Sequence, residues 1–233
     1  KELMENSIDA GATSITVEIA EGGTSVIKIT DNGKGIPKDE IRTAFMRHAT
    51  SKIDSFEDLE NVLTLGFRGE ALSSIASVAQ VEMLTRTESD SMGTRIVING
   101  GVVDREEECA ANVGTVFYVK NIFFNTPARR KFLKKPATEG SYISEIVNRI
   151  ALGHPNIAIK YINNGNIVLQ TNGDGNVKNS LFYIYGKDIA SKMLNLESEK
   201  EGYILKGLVG KPELSRGNRN YENFFINGRF IKS

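Results

Sequence analysis

A single cysteine, Cys109, rules out an intrachain disulfide, and one cysteine with two scattered histidines, His48 and His154, offers no zinc-ligand spacing. No apolar run approaches the roughly eighteen residues that a membrane span needs, and no charged-then-apolar leader opens the chain. The expectation is a soluble protein of a reducing cytoplasm, with no membrane partner. Net charge is missing too: 29 Lys and Arg balance 29 Asp and Glu, so no global field draws the molecule onto nucleic acid. Any DNA contact has to be local. The sequence has no G-x-x-x-x-G-K-[ST] string, which excludes a P-loop, and no Ser, Cys and His set for a nucleophile triad. Any catalysis is therefore assigned to water.

What is present begins with length: 233 residues, 40% hydrophobic, suffice for one large domain with its own core or for one domain and part of a second. Lys1 to Ala10 has helical spacing, with Glu2, Glu5, Asn6 and Asp9 on a wet arc and Leu3, Met4, Ile8 and Ala10 opposite. No N-cap precedes Lys1, so the true chain is expected to start earlier. Thr13 to Ala20 alternates as a strand, Gly22-Gly23 turns, and Val26 to Thr30 returns as a second strand into Asp31-Asn32-Gly33-Lys34-Gly35. Pro37 is expected to open a helix. Ser55 to Leu63 and Glu70 to Ala76 read as helices. Val81 to Arg86, Thr94 to Asn99 and Thr115 to Lys120 read as strands, Tyr142 to Leu152 as a helix, and Ile157 to Gln170 as a hairpin about Asn164-Gly165. The polar stretch Asn172 to Asn176 gives a domain boundary, and beyond it come one or two helices and strands at Tyr203 to Val209 and Asn223 to Ile226. Basic residues cluster at Arg129, Arg130, Lys131, Lys134 and Lys135, and again at Arg216, Arg219, Arg229 and Lys232. The run Glu106-Glu107-Glu108 reads as a solvated loop.

Four short motifs suggest chemistry, each with a plainer alternative. Glu2 and Asn6 stand one helical turn apart, so both can face one phosphate-bound metal and its water; the alternative is a solvated helix face. Asp31 with Gly33 and Gly35 forms D-x-G-x-G, in which glycines let backbone approach a planar ligand and the carboxylate accepts from an exocyclic amino group; the alternative is a turn. Gly66-Phe67-Arg68-Gly69-Glu70 brackets the start of a helix, where N–H groups and the helix dipole suit a polyphosphate; the alternative is a helix-to-helix turn. Thr50, Ser51 and Lys52 add hydroxyl and ammonium donors, and Thr115 can close the pocket. His48 is better explained by packing than by catalysis.

Taken in order, Lys1 to Ala12, Asp31 to Ile36, Arg47 to Lys52 and Gly66 to Leu72 resemble the MutL family of mismatch-repair ATPases, within the superfamily shared by gyrase, chaperone and histidine-kinase ATPases. The Gly66 to Leu72 string and Asn125-Thr126-Pro127-Ala128-Arg129-Arg130-Lys131-Phe132-Leu133 are similar to that family in particular, which disfavours a topoisomerase, a chaperone or a histidine kinase. The resemblance implies an α/β fold: a two-layer sandwich of mixed sheet and helices, with an ATP-binding domain over 1–172. Part of a smaller α/β lobe of the ribosomal-protein type would follow over 173–233. It implies ATP and Mg²⁺ as cofactors, Glu2 as the general base, Asn6 as the metal ligand and Asp31 as the adenine reader. Gly33, Gly35 and Thr115 would line the adenine. Thr50, Ser51, Lys52, Gly66, Phe67, Arg68, Gly69 and Glu70 would form the lid and its phosphate contacts. Implied partners are DNA, gripped near Arg216, Arg219 and Arg229, the mismatch-recognition protein MutS, and a second copy on ATP binding. The alternative for those arginines is ordinary surface charge. The family's amino-terminal arm and a γ-phosphate lysine would lie outside Lys1 to Ser233, so slow hydrolysis is expected. A nucleotide-gated clamp in which binding alone does the work is the competing function.

Overall fold

The computed structural model describes residues 1–46, 70–219 and 221–231. Helix α1, Glu2–Asp9, leads into β1, Ser14–Ala20, and a tight 3-10 turn at Glu21–Gly23 reverses the chain into β2, Val26–Asp31. A short helix α2, Ile41–Ala44, and helix α3, Ala71–Val78, precede the strands β3, Gln80–Arg86, β4, Gly93–Asn99, β5, Val102–Cys109, and β6, Gly114–Lys120. Then come α4, Pro127–Arg130, the long helix α5, Pro136–Gly153, and the hairpin β7, Ala158–Asn163, with β8, Asn166–Gln170. Helices α6, Val177–Tyr185, and α7, Lys187–Ala190, lead to two hairpins: β9, Met193–Lys200, with β10, Tyr203–Gly210, and β11, Phe224–Ile226, with β12, Arg229–Ile231.

Eight strands join in one mixed sheet, in the order β5-β4-β3-β6-β2-β1-β7-β8, with β1 and β7 the parallel pair. Alternation decides which side chains face the helices, and register then aligns them in rows. One row runs Ile96, Met83, Phe117, Ile29, Val17 and Tyr161, and the next runs Ile98, Val81, Val119, Ile27 and Ile19. These residues, with Met4, Ala76, Val147 and Ala151 from the covering helices, form the main core. At about 25 cal/mol per Å² of apolar surface removed from water, this continuous layer supplies most of the driving force for the fold. The opposite face is polar, crossed by ion pairs from Glu18 to Lys28 and from Glu82 to Lys120 and Arg95.

The two-layer mixed α/β fold is as expected, and most elements lie where periodicity puts them. Three local expectations are corrected. Glu106, Glu107 and Glu108 are not a loop: they lie in β5, paired with β4, and each has a cation, from Arg42, Arg95 and Lys38 respectively. Charge run alone does not disfavour an edge strand when cross-strand and neighbouring cations offset the repulsion. Pro37 does not open a helix; it begins a single turn closed by Glu40 N–H to the Pro37 carbonyl, and α2 starts at Ile41. Glu5 is not on a wet face but only 5% exposed, ion-paired to Lys1 at 3.2 Å. At about 100° per residue it stands beside Met4 and Ile8 on the helix perimeter, at the edge of the buried arc. The expected helix at Ser55 to Leu63 lies outside the described residues.

Candidate functional site

The sheet's inward rows are apolar until the last, where the strand ends bring polar groups into line. That row reads Thr94, Thr85, Thr115 and Asp31 across β4, β3, β6 and β2. Asp31 ends β2 because the chain then needs residues that a strand does not tolerate. Gly33 passes so near α1 that an added Cβ would sit 2.8 Å from the Ala10 Cβ, and Gly35 turns at φ 72 against the Arg86 backbone.

Asp31 is held from three sides. Its Oδ1 accepts the backbone N–H of Gly33 at 2.9 Å and that of Thr115 at 3.3 Å, and its Oδ2 accepts the Ser7 hydroxyl at 2.7 Å. Ser7 comes from α1, so the helix that carries Glu2 and Asn6 is pinned to the carboxylate. The next residue, Asn32, fixes the start of β1 just after that helix: its Oδ1 accepts the N–H groups of Thr13 and Ser14 at 2.9 and 2.8 Å, and its Nδ2 donates to the Thr13 hydroxyl at 2.8 Å. Thr85, 1% exposed, accepts the Ile36 N–H at 2.9 Å and contacts the Gly114 carbonyl and the Thr115 hydroxyl, both at 3.1 Å. The loop of the D-x-G-x-G motif is thus tied to α1 at one end and to β3 at the other.

The structure therefore brings together Asp31, Gly33 and Thr115 in direct contact, with Gly35 on the same loop. Glu2, exposed, and Asn6, half-buried, lie one turn apart on α1, and Asn6 immediately precedes the Ser7 that binds Asp31. Glu70 is half-buried at the N-cap of α3, where its carbonyl receives the Ser73 hydroxyl at 3.0 Å. Thr50, Ser51, Lys52, Gly66, Phe67, Arg68 and Gly69 lie outside the described residues. Arg216, Arg219 and Arg229 belong to the 211–231 segment and are exposed: Arg216 lies 5.8 Å from the Tyr221 ring, Arg219 reaches Glu222 at 3.9 Å, and Arg229 begins β12.

Sequence reasoning missed Ser7, Asn32 and Thr85. Thr85 did leave a signal, since Val81, Met83 and Thr85 share the inward face of one strand and a hydroxyl there has to find a partner. Ser7 and Asn32 left none, because their partners are 24 and 19 residues away.

Residues 1–113 match a family described as "Histidine kinase-, DNA gyrase B-, and HSP90-like ATPase", and residues 181–233 match one described as "DNA mismatch repair protein, C-terminal domain". Over all 233 residues the chain is 56% identical to the DNA mismatch repair protein MutL of Agathobacter rectalis, 48% to that of Clostridium botulinum and 47% to that of Caldanaerobacter subterraneus. It covers 36%, 35% and 40% of their lengths, so it spans little more than a third of these curated relatives. Among solved structures it is similar to the Aquifex aeolicus MutL ATPase domain complexed with ADP, with 29% identity and a TM-score of 0.77 over 100% of this chain and 80% of that one. It also shares its fold with the N-terminal domain of a DNA repair protein, with 23% identity and a TM-score of 0.80 over 100% of this chain and 73% of that one.

Proposed function

Because the chain belongs to the MutL family of DNA mismatch-repair proteins and carries their ATPase domain, we propose that it binds ATP with Mg²⁺ and hydrolyses it slowly by an activated water. In the whole protein that cycle would close a dimer around DNA during mismatch repair, in concert with MutS.

The observation that carries this reading is the holding of Asp31. A carboxylate has about four acceptor positions, and Ser7, Gly33 and Thr115 fill three of them. The remaining one, on Oδ2, suits a single N–H of an exocyclic amino group such as adenine carries. A solved relative whose ATPase domain is complexed with ADP supports a nucleotide as the ligand. On α1, Glu2 is assigned the task of orienting and deprotonating water, and its exposure allows it to reach one. Asn6 offers one neutral amide oxygen, which fits Mg²⁺, an ion that keeps most of its waters and takes few protein ligands. When bound, Mg²⁺ would neutralise phosphate charge. Thr50 to Lys52 and Gly66 to Glu70 are assigned to the lid. The ATP-binding unit is taken as 1–172, and the lobe from 173 to 233 is taken to meet DNA phosphates through Arg216, Arg219 and Arg229.

Two substitutions test the division of labour. Glu2→Ala should leave ATP binding unchanged and slow phosphate release by about 10² to 10⁴. Asp31→Asn should weaken binding itself by about 10- to 150-fold, because a hydrogen bond to a charged group is worth roughly 1.5 to 3 kcal/mol. Equilibrium binding of radiolabelled ATP and single-turnover phosphate release read the two effects separately. Normal turnover in Glu2→Ala, or normal affinity in Asp31→Asn, would remove the assignment.

A further inference from the structure

The hydrogen bonds around Thr85 can be given a direction by elimination. The Ile36 backbone N–H can only donate, so it occupies a lone pair of the Thr85 hydroxyl. The Gly114 carbonyl can only accept, so it takes the one proton that Thr85 has. In the remaining contact, between Thr85 Oγ1 and Thr115 Oγ1 at 3.1 Å, the donor is then Thr115. The Thr115 proton is turned toward the buried threonine, and its oxygen keeps only lone pairs for anything placed beside Asp31. The Thr115 backbone N–H is already given to Asp31. Side by side, Asp31 and Thr115 make a corner that accepts hydrogen bonds and has no side-chain proton to give.

We propose that Thr85 is a positioning residue that sets base specificity: by capturing the Thr115 proton it keeps this corner acceptor-only, favouring a purine with an amino group at position 6 over one with a carbonyl there. The proposal rests on the reading of Asp31 as the adenine-binding carboxylate. Thr85 itself is buried, 1% exposed, behind Thr115. Its effect passes through Thr115 and through the loop it ties down at Ile36.

The test compares ATP with ITP, its 6-oxo analogue, in equilibrium binding to the chain and its variants. Wild type should prefer ATP. Thr85→Val keeps the shape but loses the acceptor, which frees the Thr115 proton to meet a carbonyl, so the ATP-to-ITP affinity ratio should narrow by roughly five- to tenfold. Thr85→Ser, which retains the hydroxyl, should restore the ratio. If the valine variant does not fold, Thr85→Cys, with similar bulk and a weaker hydrogen-bonding group, should narrow the ratio in the same direction by less. A Thr85→Val or Thr85→Cys protein that loses ATP and ITP affinity by the same factor overturns the proposal and leaves Thr85 a merely structural residue. Equal binding of ATP and ITP by wild type, or unchanged ATP binding by Asp31→Asn, overturns the adenine reading itself.

Discussion

Gly35 and Gly114 have so little room that a Cβ added to either would lie 2.2 Å from a carbonyl oxygen, that of Arg86 or that of Asp31. Both also have positive φ, 72° and 116°. Gly165, at the tip of the β7-β8 hairpin, has φ 80° but nothing within 4 Å. The comparison separates two costs. Gly165→Ala should lose only the conformational term, about 1 kcal/mol, whereas Gly35→Ala adds backbone displacement and should lose about 3 kcal/mol or more. For a chain of this size that difference corresponds to roughly 4–8 °C in Tm, and equal melting of the two variants would show that the approach to Arg86 is not a constraint. At this scale the sequence was informative where a motif is local: Asp31, Gly33 and Gly35 announce a strand end followed by close backbone approach. Ser7 was silent because a hydroxyl's role depends on what faces it, and Thr85 signalled only that an inward hydroxyl needs a partner, not which one.

At the scale of elements, β5 shows how an acidic run becomes a strand. Glu106, Glu107 and Glu108 gain backbone pairing with β4, and Arg95 is shared between Glu107 at 2.7 Å and Glu82 at 2.8 Å. Burial alone would push the Glu82 carboxyl up, but hydrogen bonds from Lys120 and Arg95 hold it below its ordinary value of 4.5. A carboxyl lowered in the folded state adds stability that is present above its unfolded value and is lost as pH falls below about 4.5. Arg95→Ala should therefore raise the Glu82 titration, followed by carboxyl NMR, and make acid unfolding begin at higher pH. The change in stability near neutrality should stay within about 1 kcal/mol, since the groups are partly solvated. An unchanged Glu82 titration would mean that Lys120 alone holds the carboxylate.

At the scale of the whole molecule, the C-terminal end of α5 joins the eight-stranded sheet to the last hairpin. An added Cβ on Gly153 would lie 2.8 Å from the Phe225 ring, and Arg149 stacks 4.3 Å from the centre of the Phe230 ring. His154 sits between the two parts. Burial lowers its pKa below the ordinary 6.5, a shift only partly offset by Asp9 on α1 and by its hydrogen bond to Gly228 in the β11-β12 turn. A histidine lowered in the folded state favours the neutral ring, so its contribution is full above about 6.5 and is lost as pH falls through the window below that value. Acidification from about pH 7.5 to 5.5 should thus raise hydrogen exchange across β11 and β12 relative to the intrinsic rate, which itself falls, and His154→Asn should remove that excess. An excess that persists in the variant would assign the sensitivity to another group.

The sequence by itself determined most of the elements and the side each strand turns inward, because alternation and helical spacing are local properties of the chain. It also marked Glu2, Asn6 and Asp31 as chemically unusual and, through long strings, their family. Only the tertiary structure decided that Asp31, Thr115 and Thr85 share one polar row with Ser7 closing on it from α1. Register between strands separated by dozens of residues is fixed by how the whole sheet buries its apolar rows, and no local window of sequence contains that choice.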